Sequence, residues 1–231
     1  MIFVPFVVRT FVVVVVASVA ASVATGAFER TLDPRAIDQA IALGLSRSDR
    51  DRAGFHRRYH FETTRPPVDW LDVITPFRRV ALATEARTRD GGRLFGQRDA
   101  LEALGADPER VDIVVELTFH PLNTFVGVPA YDVALRRSAG AASLAPASPA
   151  DVPPKRVDRI PRFGPRVSGT PLPYPFGGGV RVPRGSEPLL GGTLVAVFDG
   201  KAIPGEGLYD VVVRDGGTEL ARARIDFAAL R

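Results

Sequence analysis

The sequence predicts a mainly β protein, built as a two-sheet sandwich with a few short helices. Residues 111–119 carry the clearest signal, because apolar side chains occupy every second position from Val111 to Phe119. A period of two is that of a strand with one buried face, so the intervening Asp112, Glu116 and Thr118 are expected to face solvent. Three further alternating runs follow in the last third of the chain, at residues 193–198, 208–214 and 218–227. Asp215-Gly216, a favoured hairpin turn, joins the last two runs, and strands that follow one another in this way favour two packed sheets.

The amino-terminal segment predicts export. Its apolar run is interrupted by Arg9, is centred on valines and ends in small residues. A basic residue, an apolar core and small residues follow one another in this order in secretory signal peptides. We therefore expect residues 1–27 to be a signal peptide that is cleaved after Ala24 or Ala27. The alternative is an uncleaved anchor, because the roughly eighteen residues 10–27 approach the length that spans a bilayer.

Composition narrows the class of protein. The chain has 231 residues, of which 45% are hydrophobic, and a formal net charge of +4. Beyond the amino-terminal segment, this length and hydrophobic content exclude a disordered or membrane-embedded chain and support one substantial core. The basic residues are nearly all arginine, since Lys155 and Lys201 are the only lysines. Export and a small net charge argue against nucleic acid as a partner, and without cysteine no disulfide holds the folded part.

Residues 28–64 are expected to form a helical amino-terminal segment. Asp33 is a suitable helix cap, and Pro34 follows it in the first turn, where no amide donor is needed. Apolar residues at helical spacing continue to Gly44, where this helix should end. A second, strongly charged helical segment is expected over residues 46–58.

Residues 65–137 are expected to supply the first part of the sandwich with one inserted helix. Strands are predicted at residues 68–75, 77–89, 111–119 and 131–137. Pro76 separates the first two strands, and in the second one Val80 and Leu82 share a face. The inserted helix covers residues 97–104, with Leu101 and Leu104 facing inward.

Residues 138–166 are expected to form a linker or a long loop. The part before Lys155 is rich in Ala, Ser and Pro and offers almost no large apolar side chain for burial. Residues 167–231 contain the remaining strands, which are too few to fold alone without disulfides. We therefore expect one sandwich of about seven strands, with the helices at one edge or end. Whether the regions on the two sides of 138–166 form one domain or two stays open.

One late strand begins in a way that resembles immunoglobulin-like sandwiches. In those folds a tyrosine lies near the start of a late strand, as Tyr209 does in Gly207-Leu208-Tyr209. This resemblance covers a handful of residues. It implies an immunoglobulin-like sandwich and carries no function.

His56 and His60 are the candidate metal ligands. On a helix, their spacing of four residues would place both rings on one face, with the Cβ atoms about 6 Å apart. A third ligand would have to come from Glu62, Asp72 or His120. No glutamate follows the first histidine as metalloprotease motifs require. A metal-binding protein or a metal-dependent hydrolase is therefore an alternative function, and no other cofactor is expected.

Five basic residues are the candidate contacts for an anion or a partner: Lys155, Arg156, Arg159, Arg162 and Arg166. Arginine binds phosphate and carboxylate groups through two parallel hydrogen bonds. In a cell envelope such groups belong to lipid headgroups, anionic glycans or acidic segments of envelope proteins. The competing interpretation is that these residues only keep a long loop soluble.

Recognisable enzyme motifs are missing from the sequence. Ser168 and Ser186 lie outside any nucleophile elbow, and Gly177-Gly178-Gly179 is not followed by the residues of a phosphate-binding loop. No catalytic and no cofactor-binding residue is assigned. The sequence thus favours an exported, non-enzymatic binding or assembly protein of the cell envelope, periplasmic or extracellular. If the amino-terminal segment is retained, the protein is expected to be a membrane-tethered accessory subunit.

Overall fold

The structure of this protein is a computed structural model that describes residues 28–92, 94–120, 122–138, 151–164, 188–204 and 207–231. The expected signal peptide, Arg166, Ser168, Ser186 and the glycines at 177–179 lie outside the described residues. Within the described ranges, no helix is long and apolar enough to cross a membrane.

The described chain contains four α-helices and nine strands. The helices are α1 (Pro34–Gly44), α2 (Asp49–Arg57), α3 (Pro76–Arg89) and α4 (Gln97–Leu104). The strands are β1 (His60–Glu62), β2 (Val68–Ile74), β3 (Val111–Thr118), β4 (Asp132–Arg137), β5 (Asp151–Val152), β6 (Arg156–Phe163), β7 (Leu189–Phe198), β8 (Leu208–Asp215) and β9 (Thr218–Asp226).

Two antiparallel sheets form the body of the protein, which confirms a mainly β, sandwich-like architecture. One sheet has the order β1-β2-β3-β7-β6 and the other the order β5-β4-β8-β9. Strand β7 pairs with β3, and β8 pairs with β4. Strands from before and after residues 139–150 therefore share both sheets, and their buried side chains form one apolar cluster.

Strand β3 is central and has the predicted alternation. Val111, Ile113, Val115 and Leu117 are fully buried, whereas Thr118 is exposed. Asp112 was expected to face solvent, but it is buried. The reason is that α3 covers this end of the outer face of the five-stranded sheet, and Arg79 of α3 pairs with the Asp112 carboxylate.

The prediction of a strand at residues 77–89 is wrong, because these residues form helix α3. The Thr75 hydroxyl accepts a hydrogen bond from the Arg78 amide, and Pro76 occupies the first turn, so both residues start a helix. Four of the buried residues of α3 follow helical spacing, Phe77, Val80, Ala81 and Thr84, and Pro76, Arg78 and Arg79 are buried as well. The alternation in the sequence arose because small and β-branched residues fit both periods.

The bounds of α1 and α4 agree with the prediction, but the residues that α4 buries do not. Helix α1 starts at the Asp33 cap and ends at Gly44, as predicted. On α4, Leu104 is buried, but Leu101, which was expected to face inward, is 59% exposed. Ala100 takes the inward position instead.

Part of the segment expected to be a linker or loop is strand. Asp151–Val152 forms β5, which pairs with β4, and Arg156–Phe163 forms β6, which pairs with β7 along its whole length. The helices lie at the end of the sandwich where β2 ends and β3 begins. We call this the helix end. The opposite end, where β3 leads into the connection to β4, is the loop end.

Tyr209 is buried at the start of β8, and its hydroxyl has no hydrogen-bond partner among the described residues. In immunoglobulin-like folds, the corresponding hydroxyl bonds to backbone a few residues upstream. Residues 205–206 lie outside the described ranges. The immunoglobulin-like resemblance therefore stays a prediction.

Candidate functional site

The two candidate metal ligands lie on different elements. Helix α2 ends at Arg57, so His56 is in its last turn, while His60 is the first residue of β1. The spacing of four residues therefore does not place them on one helix face. His56 Nε2 lies 2.7 Å from Glu85 Oε1 of α3, and His60 Nδ1 lies 2.8 Å from Asp72 Oδ1 of β2.

A buried arginine lies between the two histidines. Arg78 Nε donates to His56 Nδ1 at 3.4 Å, and its Nη2 donates to Asp72 Oδ2 at 2.8 Å. A third bond joins its Nη1 to the Val73 carbonyl oxygen at 2.7 Å, and the guanidinium lies 5.0 Å from the centre of the Tyr59 ring. We call His56, His60, Asp72, Arg78 and Glu85 the histidine cluster. A fixed positive charge at its centre repels a metal cation.

The described residues contain no group of three or more His, Cys, Asp or Glu side chains arranged to hold a metal ion. His120 lies at the far end of β3, where its Nδ1 accepts a hydrogen bond from the Leu122 amide. It does not approach the histidine cluster. The contacts of the cluster tie α2 and α3 to β1 and β2.

The basic segment that was expected in a loop runs along a sheet edge. Among the described strands, β6 has a single neighbour, β7. Its residues Arg156, Ile160 and Arg162 alternate on the outer face of the five-stranded sheet and are exposed. This strand was hard to recognise in the sequence because an edge strand buries little and needs no apolar alternation.

Two of the basic residues bind neighbouring carboxylates near the helix end. Lys155 Nζ lies 3.0 Å from Asp107 Oδ2 and 3.4 Å from Asp199 Oδ2. The hydrogen bond to Asp107 raises the pKa of the Lys155 ammonium. Arg156 Nε lies 2.9 Å from Asp158 Oδ2 on the same strand.

Arg162 binds the end of the central strand. Its Nη2 lies 3.2 Å from Glu116 Oε1 and donates to the Leu117 carbonyl oxygen at 2.9 Å. It also donates to the Thr118 hydroxyl at 3.1 Å. Glu116, expected on the solvent side of β3, is in fact half-buried and accepts a second bond, from the Thr193 hydroxyl at 2.7 Å.

Arg159 differs from the other described basic residues of this segment. Its guanidinium donates to two carbonyl oxygens, those of Val157 at 3.4 Å and Tyr131 at 3.3 Å. In the described part of the chain it has no carboxylate partner, and it is exposed. An arginine in this state keeps donors for an external anion.

The backbone edge of β6 is poorly suited to accept another strand. Pro161 has no N–H to donate, and the Arg159 side chain covers the Val157 carbonyl oxygen. Such features protect edge strands against pairing with other chains. Any partner is therefore expected to meet the side chains of β6 and not its backbone.

Comparison with protein-family models, with curated proteins and with solved structures finds no match to this chain. Its function is accordingly inferred from the geometry of the described residues.

Proposed function

We propose that this protein is an exported, non-enzymatic binding or assembly protein of the cell envelope, which binds an anionic partner through the side chains of β6. The observation that supports this is Arg159, which is exposed and lacks a carboxylate partner in the described chain. Lys155, Arg156 and Arg162 lie along the same edge, so four cations follow about 25 Å of strand. Arg156 and Arg162 are on the outer face of the sheet, and Arg159, which lies opposite Leu194, is on the other face.

The ion pairs along β6 do not prevent such binding. Exposed pairs such as Arg156 with Asp158 contribute about 0–1 kcal/mol. Phosphate, sulfate or carboxylate groups that offer two oxygens to a guanidinium compete well with them. Lipid headgroups, anionic glycans and acidic protein segments all carry such groups.

Replacement of both Arg159 and Arg162 by Ala is expected to weaken binding to dextran sulfate, a soluble polyanion, by on the order of tenfold or more, because each charged hydrogen bond contributes about 1.5–3 kcal/mol. The measurement is the dissociation constant by fluorescence anisotropy at several salt concentrations. The salt dependence should also decrease, since fewer counterions are displaced.

The matched control is the double variant Arg35→Ala/Arg50→Ala. These arginines are exposed on α1 and α2 and do not belong to β6. Their removal should leave polyanion binding unchanged. An equal loss in both double variants would mean that binding follows net charge and not β6.

Export is the second part of the proposal. We expect the mature chain in the envelope to begin after Ala24 or Ala27, because the order of residues in the first 27 positions is that of a signal peptide. Mass spectrometry of the envelope fraction measures this. A peptide that begins before Ala20 would indicate the membrane-tethered accessory subunit instead.

The periplasm or the extracellular space is the compartment that this proposal implies.

The position of Tyr209 at the start of β8 supports an immunoglobulin-like version of the sandwich.

A further inference from the structure

The connection between β3 and β4 presents apolar side chains to solvent at the loop end. Val126 is 97% exposed, Leu122 83% and Phe125 44%. Single exposed apolar residues are common on soluble proteins, but a cluster of them marks an interaction surface. We call Leu122, Phe125 and Val126 the apolar tip.

The loop that carries the apolar tip is held in place by specific bonds. Asn123 Nδ2 donates to the carbonyl oxygens of His120 at 2.7 Å and Leu189 at 2.8 Å. Its Oδ1 accepts from the Phe125 amide at 2.9 Å. The Phe125 ring lies edge-on to Phe119, with the ring centres 5.1 Å apart. A loop organised in this way loses little conformational entropy when it binds.

Arginines of β6 bind both ends of this loop. Arg162 donates to the Leu117 carbonyl oxygen just before the loop, and Arg159 donates to the Tyr131 carbonyl oxygen just after it. The cations of the proposed anion site thus bind the two ends of the loop that carries the exposed apolar side chains. A protruding apolar group with cations beside it matches the order of a bilayer surface, in which acyl chains lie beneath phosphates.

We infer that the apolar tip and β6 dock together on a bilayer that contains anionic phospholipid. Leu122, Phe125 and Val126 enter the boundary of the acyl region, while Arg159 and Arg162 bind headgroup phosphates. This inference rests on the proposed anion binding by β6 and names its partner. A deformable bilayer can accommodate side chains that are as exposed as Leu122 and Val126.

The tip can be tested apart from the amino-terminal segment. Residue 27 joins the described chain at Phe28, which packs against Phe227 with ring centres 5.4 Å apart, at the helix end. Because the chain contains no cysteine, a single Val126→Cys variant of the full chain can be labelled with an environment-sensitive dye at one site. Leu101→Cys, on exposed α4 at the helix end, is the matched control position.

The probes are vesicles of phosphatidylcholine with and without phosphatidylglycerol. Dye at position 126 is expected to brighten several-fold and shift to the blue on vesicles with phosphatidylglycerol, and to be quenched by spin-labelled lipid. Dye at position 101 should not change. An unchanged signal at 126, or the same signal at both positions, would overturn the inference.

Two further variants separate this inference from the proposed function. In the labelled chain, Leu122→Ser/Phe125→Ser should raise the lipid concentration needed for half-maximal signal by about tenfold or more, but leave dextran sulfate binding intact. Arg159→Ala/Arg162→Ala should weaken both. If dextran sulfate binding depends on β6 but the dye gives no signal on vesicles, the proposed function is supported and the inference is wrong. A vesicle signal that is insensitive to both arginines overturns the joint site.

Discussion

Leu117→Ala is expected to lower the free energy of unfolding by about 2–5 kcal/mol. Leu117 is fully buried in β3, where it pairs with Val68 of β2 and Gly192 of β7. Ladders on both sides hold the backbone, so the cavity left by the missing atoms cannot close. For a domain with a total stability of about 5–15 kcal/mol, this is a large share. Chemical denaturation followed by circular dichroism measures the loss.

The matched control for this prediction is Leu101→Ala. It removes the same atoms from a leucine that is 59% exposed on α4. Its effect should stay within about 0.5 kcal/mol, as for most surface substitutions. If both variants lose the same stability, the assignment of Leu117 to the core is wrong.

Asp112→Ala is expected to cost about 3–5 kcal/mol, because it leaves a buried cation without its partner. Arg79 donates to Asp112 Oδ2 at 3.1 Å and to the Arg110 carbonyl oxygen at 2.9 Å. The two side chains of the pair are only 10% and 8% exposed. Burial lowers the pKa of the Arg79 guanidinium, and the negative charge of Asp112 opposes this effect. Thermal and chemical denaturation of the variant give the cost.

A double variant distinguishes a stranded charge from simple loss of packing. Arg79→Met added to Asp112→Ala should recover more than half of the lost stability, since no uncompensated charge then stays buried. Arg110→Ala is the control, because Arg110 also pairs with Asp112, at 3.3 Å, but is partly exposed. It should cost about 1 kcal/mol or less. Costs of Asp112→Ala and Arg79→Met that simply add would contradict this account.

Several elements could be predicted because their signals are local. The start of α1 depends on Asp33 and Pro34, whose effects on a helix need no tertiary partner. The alternation of β3 and of β9 reflects one buried face, which each strand carries in its own side chains. The turn between β8 and β9 depends on Gly216, whose φ of +56° lies in the region that favours glycine.

The candidate site could be predicted only in part. Arginines 156, 159 and 162 could be identified from the sequence, but their place on an edge strand depends on partners in β7 that lie 29 to 41 residues further along the chain. The apolar tip was not identified, because Leu122, Phe125 and Val126 look like core residues in a sequence. A hydrophobic side chain carries no mark of whether other elements will cover it.

The sequence by itself determined the features that depend on neighbouring residues, such as helix caps, turns and the period of β3. It also determined the signal-like order of the first 27 residues and, without cysteine, a core that has no disulfides. Only the tertiary structure decided which surfaces are covered. It made Asp112 a buried ion, placed His56 and His60 on separate elements around Arg78, and left the apolar tip exposed. The physical reason is that burial depends on residues distant in sequence, whereas backbone propensity depends on residues within a few positions.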